Sequence, residues 1–459
     1  MTIQPGQFTT NSLRNSPWGQ NICQILSVAI NSADARSRIK DKVFLADNRL
    51  IIANTTYDLT KYHRVFIIGA GKAVVPMATA IYEILGNRIT SGLVITKDGY
   101  INSTKSINEH CIKILEANHP IPDHRNLDAS LQIFTLSHSL DADDLVICLL
   151  SGGGSSLMMM PSPGISLKDI QETISLLLTC GATIDEINAI RKHIDLLKGG
   201  GLAKNLFPAT VVSLLLSDVV GDRFDVIASG PTVADPSTYN DAWAVFDKYR
   251  IFDRIPPQVL IHLKDGMAGR ILETVKPGDP ILVKVQNILV GSNTQAALAA
   301  VNAAKVNGFT TRLLTTNLQG EASQLGQTIA EDVKKMLAQP EYIQRPTCLI
   351  AGGETTVTIK GTGKGGRNQE LALGAVECLS GTDHIILISL ATDGGDGPTD
   401  AAGAVVTNQT YSLGLAKGLN PKDYLERNDS YNFFEPLGDL IKTGPTLTNV
   451  NDLVFVFSS

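Results

Sequence analysis

The 459-residue chain has six cysteines, Cys23, Cys111, Cys148, Cys180, Cys348 and Cys378, and no Cys-x-x-Cys pair. That scatter argues against a zinc cluster and against the disulfide framework of a small secreted domain. Cys148 and Cys348 lie inside apolar runs and read as small core residues. No apolar run reaches the roughly 18 residues of a membrane span. The polar start MTIQPGQFTTNSLRNSPWGQ lacks the charged and apolar segments of a signal peptide, so a cytoplasmic protein without a membrane partner is expected. Charge is also sparse: DEKR residues make up 18%, against about 25% in an average soluble protein. With 39 Lys+Arg, 45 Asp+Glu and no long basic run, there is no electrostatic footprint for nucleic acid. A solenoid repeat, a metal-binding His cluster and a Gly-x-Ser-x-Gly elbow are all missing, which leaves serine-triad hydrolysis a poor fit.

What is present is a hydrophobic fraction of 43%, enough for a large core in a chain long enough for two or three domains. Short runs rich in Val, Ile and Leu alternate with segments of helical period, the pattern of an α/β protein with buried parallel strands. Strands are expected at 64–68, 92–96, 144–150, 210–216, 287–290, 310–315, 347–351 and 384–390. Helices are expected at 22–35, 73–85, 126–139, 184–198, 294–307 and 321–338. Nearly every strand ends in Gly, Ser or Asp, and ligands of parallel sheets bind at the carboxyl ends of strands. A Pro-rich, charged stretch after Pro231 reads as a hinge with peripheral helices, giving an N-terminal domain over 1–235, the hinge over 236–285 and a C-terminal unit over 286–459.

Four regions carry candidate chemistry in the first half. GAGKA (69–73) places Gly69, Gly71 and Lys72 at a helix start, either as an anion site or as a tight turn beneath the helix. A Walker A loop would need Gly at Phe66 and a hydroxyl at Ala73, and the dinucleotide fingerprint a small residue at Val74, so neither motif is complete. SGGGSS offers Ser151, Gly152, Gly153, Gly154, Ser155 and Ser156 as a nest of N–H donors and hydroxyls suited to phosphate oxygens. In NAIRKHIDLLKGGGLA (188–203), Asn188, Arg191, Asp195 and Lys198 share one helical stripe, which is either a solvated face or a pair of cations aimed at an anion. Asp218, at the end of the strand TVVSLLL, is a candidate general base, magnesium ligand or cap, with Asp222 and Asp225 weaker candidates.

The second half repeats this logic. Glu354 follows Gly352-Gly353 at a strand end, GTGKGGRNQE delivers Arg367 on a glycine-rich loop as befits a phosphate clamp, and SLATDGGDGPTD carries Asp393, Asp396 and Asp400. The three Asp residues lack the spacing of a calcium hand, so magnesium held through substrate phosphates is the better reading. Two anion nests, a Lys, an Arg and strand-end carboxylates together suit phosphoryl transfer.

Through GAGKA, EANHPIPD, SGGGSS, NAIRKHIDLLKGGGLA, SDVVGD with ASGPT, GGETTVT, GKGGRNQELAL and ATDGGDGPTDAAGA, spanning about 69 to 405, the chain resembles the class II glycerate kinases, the glycerate 2-kinase family with a C-terminal MOFRL domain. The resemblance implies two Rossmann-like parallel-sheet domains with an inter-domain active-site cleft, and a MOFRL domain near 345–455. It further implies ATP- and magnesium-dependent phosphorylation of D-glycerate at its 2-hydroxyl, so ATP, Mg2+ and small-molecule substrates are expected. On this sequence Lys72 and Arg367 become the cations at the transferred phosphate, and Asp218 and Asp393 share the base and metal roles. SGGGSS, Arg191 and Lys198 become binding residues, with Glu354 a further polar contact. Two alternatives remain: an NAD(P)H-dependent hydroxypyruvate reductase, which GAGKA followed by Asp98 weakly mimics, and a non-catalytic sugar-acid or nucleotide sensor.

Overall fold

The computed structural model describes residues 2–101, 111–337 and 345–458. The described chain divides into two units: one is Ala35–Val290, the other joins the residues up to Asp34 with those from Gly291 onward.

In the first unit a small antiparallel sheet, β1 (Val43–Ala46), β2 (Arg49–Ile52) and β3 (Thr55–Asp58), precedes the main one. The main sheet contains β4 (Arg64–Ala70), β5 (Ser91–Lys97), β6 (Ile112–Ala117), β7 (Asp144–Leu150), β8 (Thr210–Leu216) and β9 (Val285–Gly291), in the order β6-β5-β4-β7-β8-β9. The pairings from β6 through β8 are parallel. Every residue of β7 is buried, which explains its unbroken apolar run. The chain builds outward from β4 to β6 and then returns to place β7 on the other side of β4. Strand order therefore reverses between β4 and β7, and ligands of such sheets bind outside the carboxyl ends at that point.

Helices Leu167–Thr179, Ile184–His193, Tyr239–Tyr249 and Pro257–Met267 bury Leu177, Ile190, Phe246 and Val259 in a second core of the same unit. The stretch 236–285, expected as a hinge, thus packs inside this unit. Buried Asp235 fastens it there, accepting from Lys192 Nζ at 3.1 Å and Thr274 Oγ1 at 2.9 Å.

The first 34 residues, expected with the N-terminal domain, belong to the other unit. Helix Gly19–Asn31 buries Ile22, Ile25 and Leu26 and packs on helix Asn293–Val306, while the Trp18 ring lies 4.9 Å from Phe309. The second sheet holds β10 (Thr310–Leu318), β11 (Thr347–Gly353), β12 (Ile385–Ala391), β13 (Gly403–Thr407), β14 (Leu440–Ile441) and β15 (Asp452–Ser458), in the order β10-β11-β15-β12-β13-β14. Only β10–β11 is parallel; the other four pairings are antiparallel. The α/β class holds, but this sheet is mixed rather than parallel, because the last strand enters in reverse between β11 and β12. Among the described residues no helix is long and apolar enough to cross a membrane.

Helices Ala322–Leu337 and Arg367–Leu379 cross in backbone contact. A Cβ on Gly374 would lie 2.1 Å from the Ser323 carbonyl oxygen, and one on Gly326 1.9 Å from that of Leu371. Gly374→Ala must push the helices apart and should destabilise the protein by about 1–3 kcal/mol, read as a lowered denaturation midpoint. An unchanged midpoint would contradict the close crossing.

Candidate active site

In the first unit the loops after β4 and β7 are locked together. Gly71, at φ +144°, packs so closely on Ser151 that a Cβ would lie 2.1 Å from Ser151 Oγ. The Lys72 N–H donates to Gly152 O at 2.8 Å, the Ala73 N–H to Ser151 Oγ at 3.0 Å, and the Gly71 N–H to Ile95 O at 3.0 Å. GAGKA therefore spends its backbone donors on the neighbouring strand ends. Its glycines serve close approach, as the turn reading had it, and the Lys72 side chain is its remaining contribution.

SGGGSS differs. The N–H groups of Gly152, Gly153 and Ser155 make no hydrogen bond among the described residues. Gly153 has φ +81°, and a Cβ there would stand 2.9 Å from His119 Nε2 and 3.5 Å from Lys72 Cγ. A Cβ on Gly152 would meet Asp218 Oδ2 at 1.9 Å. Lys72 after β4, His119 after β6, the nest after β7 and Asp218 after β8 are thus one cluster at the strand ends. Ser155 Oγ bonds Ser229 Oγ at 2.7 Å, and Ser229 Oγ donates to Asn188 Oδ1 at 2.9 Å. Burial, with the positive charges of Lys72, Lys97 and Arg191, pulls His119 down to about 4, so its ring is neutral at pH 7.

The second unit gathers an ion cluster at the corresponding end of its sheet. Because β15 runs against β11 and β12, its first residue, Asp452, pairs with both Gly353 and Ala391 at their carboxyl ends. Arg367, at the start of its helix, donates from Nε to Asp452 Oδ2 at 2.6 Å and from Nη2 to Oδ1 at 3.2 Å, and from Nη1 to Glu354 Oε1 at 2.7 Å. Burial opposes the guanidinium's charge, but these carboxylates outweigh it and raise its pKa. Burial pushes Asp452 up to about 6 even against the pull of Arg367.

Two family profiles match the chain: a domain of unknown function, DUF4147, over residues 21–264 and the MOFRL family over residues 347–452. D-glycerate 2-kinase of Thermotoga maritima is 45% identical over 85% of this chain and 90% of that protein. A putative hydroxypyruvate reductase of Agrobacterium vitis is 39% identical over 85% of this chain and 98% of that protein. The crystal structure of glycerate kinase from Thermotoga maritima superposes with a TM-score of 0.83 at 40% identity, covering 96% of this chain and 99% of that one.

The chain belongs to the glycerate 2-kinase (MOFRL) family. Within this glycerate kinase fold, Lys72, Asp218 and the nest are neighbours, as are Arg367 and Glu354. Arg367, read from sequence as a loop residue with nothing to bury it, is instead clamped by two carboxylates. Asp393 follows β12 and accepts the Gly395 N–H at 3.1 Å. Asp396 does not join it, since its carboxylate caps the Arg367 helix by accepting from the N–H groups of Asn368 at 3.1 Å and Gln369 at 2.9 Å. Asp400 pairs with Lys442 at 3.0 Å, so the three Asp residues form no cation loop. Asp225 pairs with Arg223 at 2.9 Å.

The helix expected over 184–198 ends at His193, because the chain turns there to pair with residues 160–162: the Leu196 N–H donates to Met160 O at 2.7 Å and the Ser162 N–H to Ile194 O at 3.0 Å. Lys198 is therefore not on a helical stripe. It is buried, with Nζ 2.5 Å from Asp195 Oδ2 and 3.2 Å from Met158 O, which leaves its charge spent internally. Sequence reasoning gave no role to His119, although EANHPIPD directly follows a strand, nor to Ser229 in ASGPT, nor to Asp452.

Glu370, on the same helix as Arg367, is buried and accepts from Asn428 Nδ2 at 3.0 Å. Burial, aided by Glu321 and Asp396, raises it from 4.5 to about 7. Between those values the folded chain holds a proton that the unfolded chain has released, so stability falls as pH rises through this window. Glu370→Gln should remove that loss, gaining on the wild type by up to about 3 kcal/mol from pH 5 to pH 8. Parallel stability curves for the two proteins would contradict the shift.

Proposed function

We propose that the chain transfers the terminal phosphoryl group of ATP to the 2-hydroxyl of D-glycerate, giving 2-phosphoglycerate, in the cytoplasm. The observation that carries this reading is the meeting, at the β4/β7 switch point, of Lys72, the unused N–H groups of SGGGSS and Asp218. Phosphoryl transfer asks little covalent chemistry of a protein; it asks for positioning and for charge to be neutralised as it spreads over phosphate oxygens. The nest donors and Lys72 supply that in the first unit, and Arg367 is the cation proposed for it in the second.

The hydroxyl oxygen attacks phosphorus, the bond to the ADP oxygen breaks, and a carboxylate takes the hydroxyl proton. Asp218 and Asp393 are the candidates, one for that proton and one for a metal. Among the described residues no group of three His, Cys, Asp or Glu side chains comes together as a metal cage. A magnesium ion held by ATP oxygens and one or two carboxylates fits such a donor set, whereas a calcium or zinc cage does not. Bound there, magnesium would offset phosphate charge.

The reductase alternative draws no support from the loops that suggested it. Asp98, proposed as its ribose-binding acid, is held by Arg125 at 2.7 and 2.9 Å, and the N–H groups of GAGKA are consumed.

Purified protein given ATP, magnesium and D-glycerate should release ADP in a glycerate-dependent, saturable manner. Lys72→Ala and Arg367→Ala should each lower turnover by about a hundredfold or more; Lys72→Ala should keep the melting profile, whereas Arg367→Ala, which leaves the buried Asp452 carboxylate without its partner, should also melt lower. Unchanged turnover in either variant removes that residue from the mechanism. Binding of both substrates without ADP release by the wild type would make the chain a sensor.

A further inference from the structure

Beside the nest, in the first unit, lies a cavity of about 260 Å³. Ser155 and Ser156 form one edge of it, Arg191 and the Asp195–Lys198 pair another, and the walls are apolar, chiefly Ile170, Ile174 and Leu178. Leu178, 62% exposed, stands at its rim.

The charges in this cavity do not balance. Lys198 and Asp195 neutralise each other at 2.5 Å, and the Asp195 carboxylate also accepts the N–H groups of Met160 at 3.1 Å and Leu197 at 2.9 Å. Arg191 remains. Among the described residues its guanidinium makes no hydrogen bond and no ion pair; burial, opposed by the nearby charge of Asp195, pulls its pKa down to about 10, which still leaves it charged at pH 7. A half-buried guanidinium with open donors at the edge of an apolar cavity offers an anion charge-assisted hydrogen bonds. The planar fork of Arg matches a carboxylate with two parallel hydrogen bonds. A three-carbon hydroxy acid can satisfy the guanidinium, but it would leave the isoleucine walls uncovered.

We propose that this cavity binds a monocarboxylate with a short aliphatic chain, its carboxylate on Arg191 and its chain along Ile170, Ile174 and Leu178. The site adjoins the phosphate nest through Ser155 and Ser156, so its occupant is placed to influence the nest. The inference stands apart from the kinase reading, because binding is measured without turnover.

The test is isothermal titration of the full chain with sodium hexanoate, with hexan-1-ol and sodium acetate as probes that lack the charge and the chain. Hexanoate should bind with a Kd of about 1 mM or tighter, and each reference probe at least tenfold more weakly. Arg191→Met should lose tenfold or more in hexanoate affinity while keeping the wild-type melting profile, since the partly exposed guanidinium makes no hydrogen bond or ion pair among the described residues. Leu178→Asp, at the exposed rim where folding is not at stake, should weaken hexanoate several-fold. Equal binding of hexanoate by wild type and Arg191→Met, or none by the wild type, would overturn the proposal. Displacement of hexanoate from the wild type by D-glycerate at equal or lower concentration would overturn it too, making the cavity the carboxylate end of the acceptor site.

Discussion

Lys72 is aimed by its own backbone. Its N–H is bonded to Gly152 O, and Gly71 before it lies flat on Ser151 with no room for a side chain. These contacts join the loops on either side of the strand-order reversal, and everything else in the first-unit cluster depends on them. They bring the Lys72 side chain beside Gly153, which has a positive φ, in a loop where the Gly152, Gly153 and Ser155 N–H groups are unspent among the described residues. They also leave a gap over Gly152 that the Asp218 carboxylate fills. A side chain at Gly71, Gly152 or Gly153 would break the cluster by simple occupancy, before any question of charge arises.

The second unit solves a different problem by a different route. A single strand inserted in reverse carries Asp452 to the carboxyl ends of its neighbours, where the guanidinium of Arg367 is fixed from two sides by Asp452 and Glu354. Holding a cation this firmly costs desolvation of Arg367 and Asp452, and Asp452 shows that cost in its raised pKa. What is gained is orientation, which is the main thing a phosphoryl-transfer site needs from its protein.

Much of this was legible because parallel strands buried on both faces are written as continuous apolar runs, and because chemistry collects where those runs stop. Strands such as 144–150 and 210–216 lie where the runs lie, and Lys72, SGGGSS, Asp218 and Asp393 all stand at or just beyond strand ends. What was not legible is what depends on partners distant in sequence. The early end of the helix at His193 comes from pairing with residues 160–162, and Lys198 lost its expected role to Asp195. The small sheet β1–β3 escaped notice because its strands are four residues long, too short for a period to show. The burial of Arg367 required knowing that β15 enters antiparallel, and no local pattern in DLVFVFS states its direction. The attachment of the first 34 residues to the distant unit is set by contacts such as Trp18 on Phe309, which composition cannot reveal.

Transfer of phosphate to the 2-hydroxyl of D-glycerate is the reaction proposed for this chain. The most direct measurement supplies the purified chain with D-glycerate, ATP and magnesium, adds enolase as the sole further enzyme, and detects phosphoenolpyruvate. Phosphoenolpyruvate should form without phosphoglycerate mutase, because enolase acts on 2-phosphoglycerate directly. Phosphoenolpyruvate only after mutase is added would contradict the position of transfer, and no ATP consumption alongside hydroxypyruvate-dependent oxidation of NADH or NADPH would contradict the kinase itself.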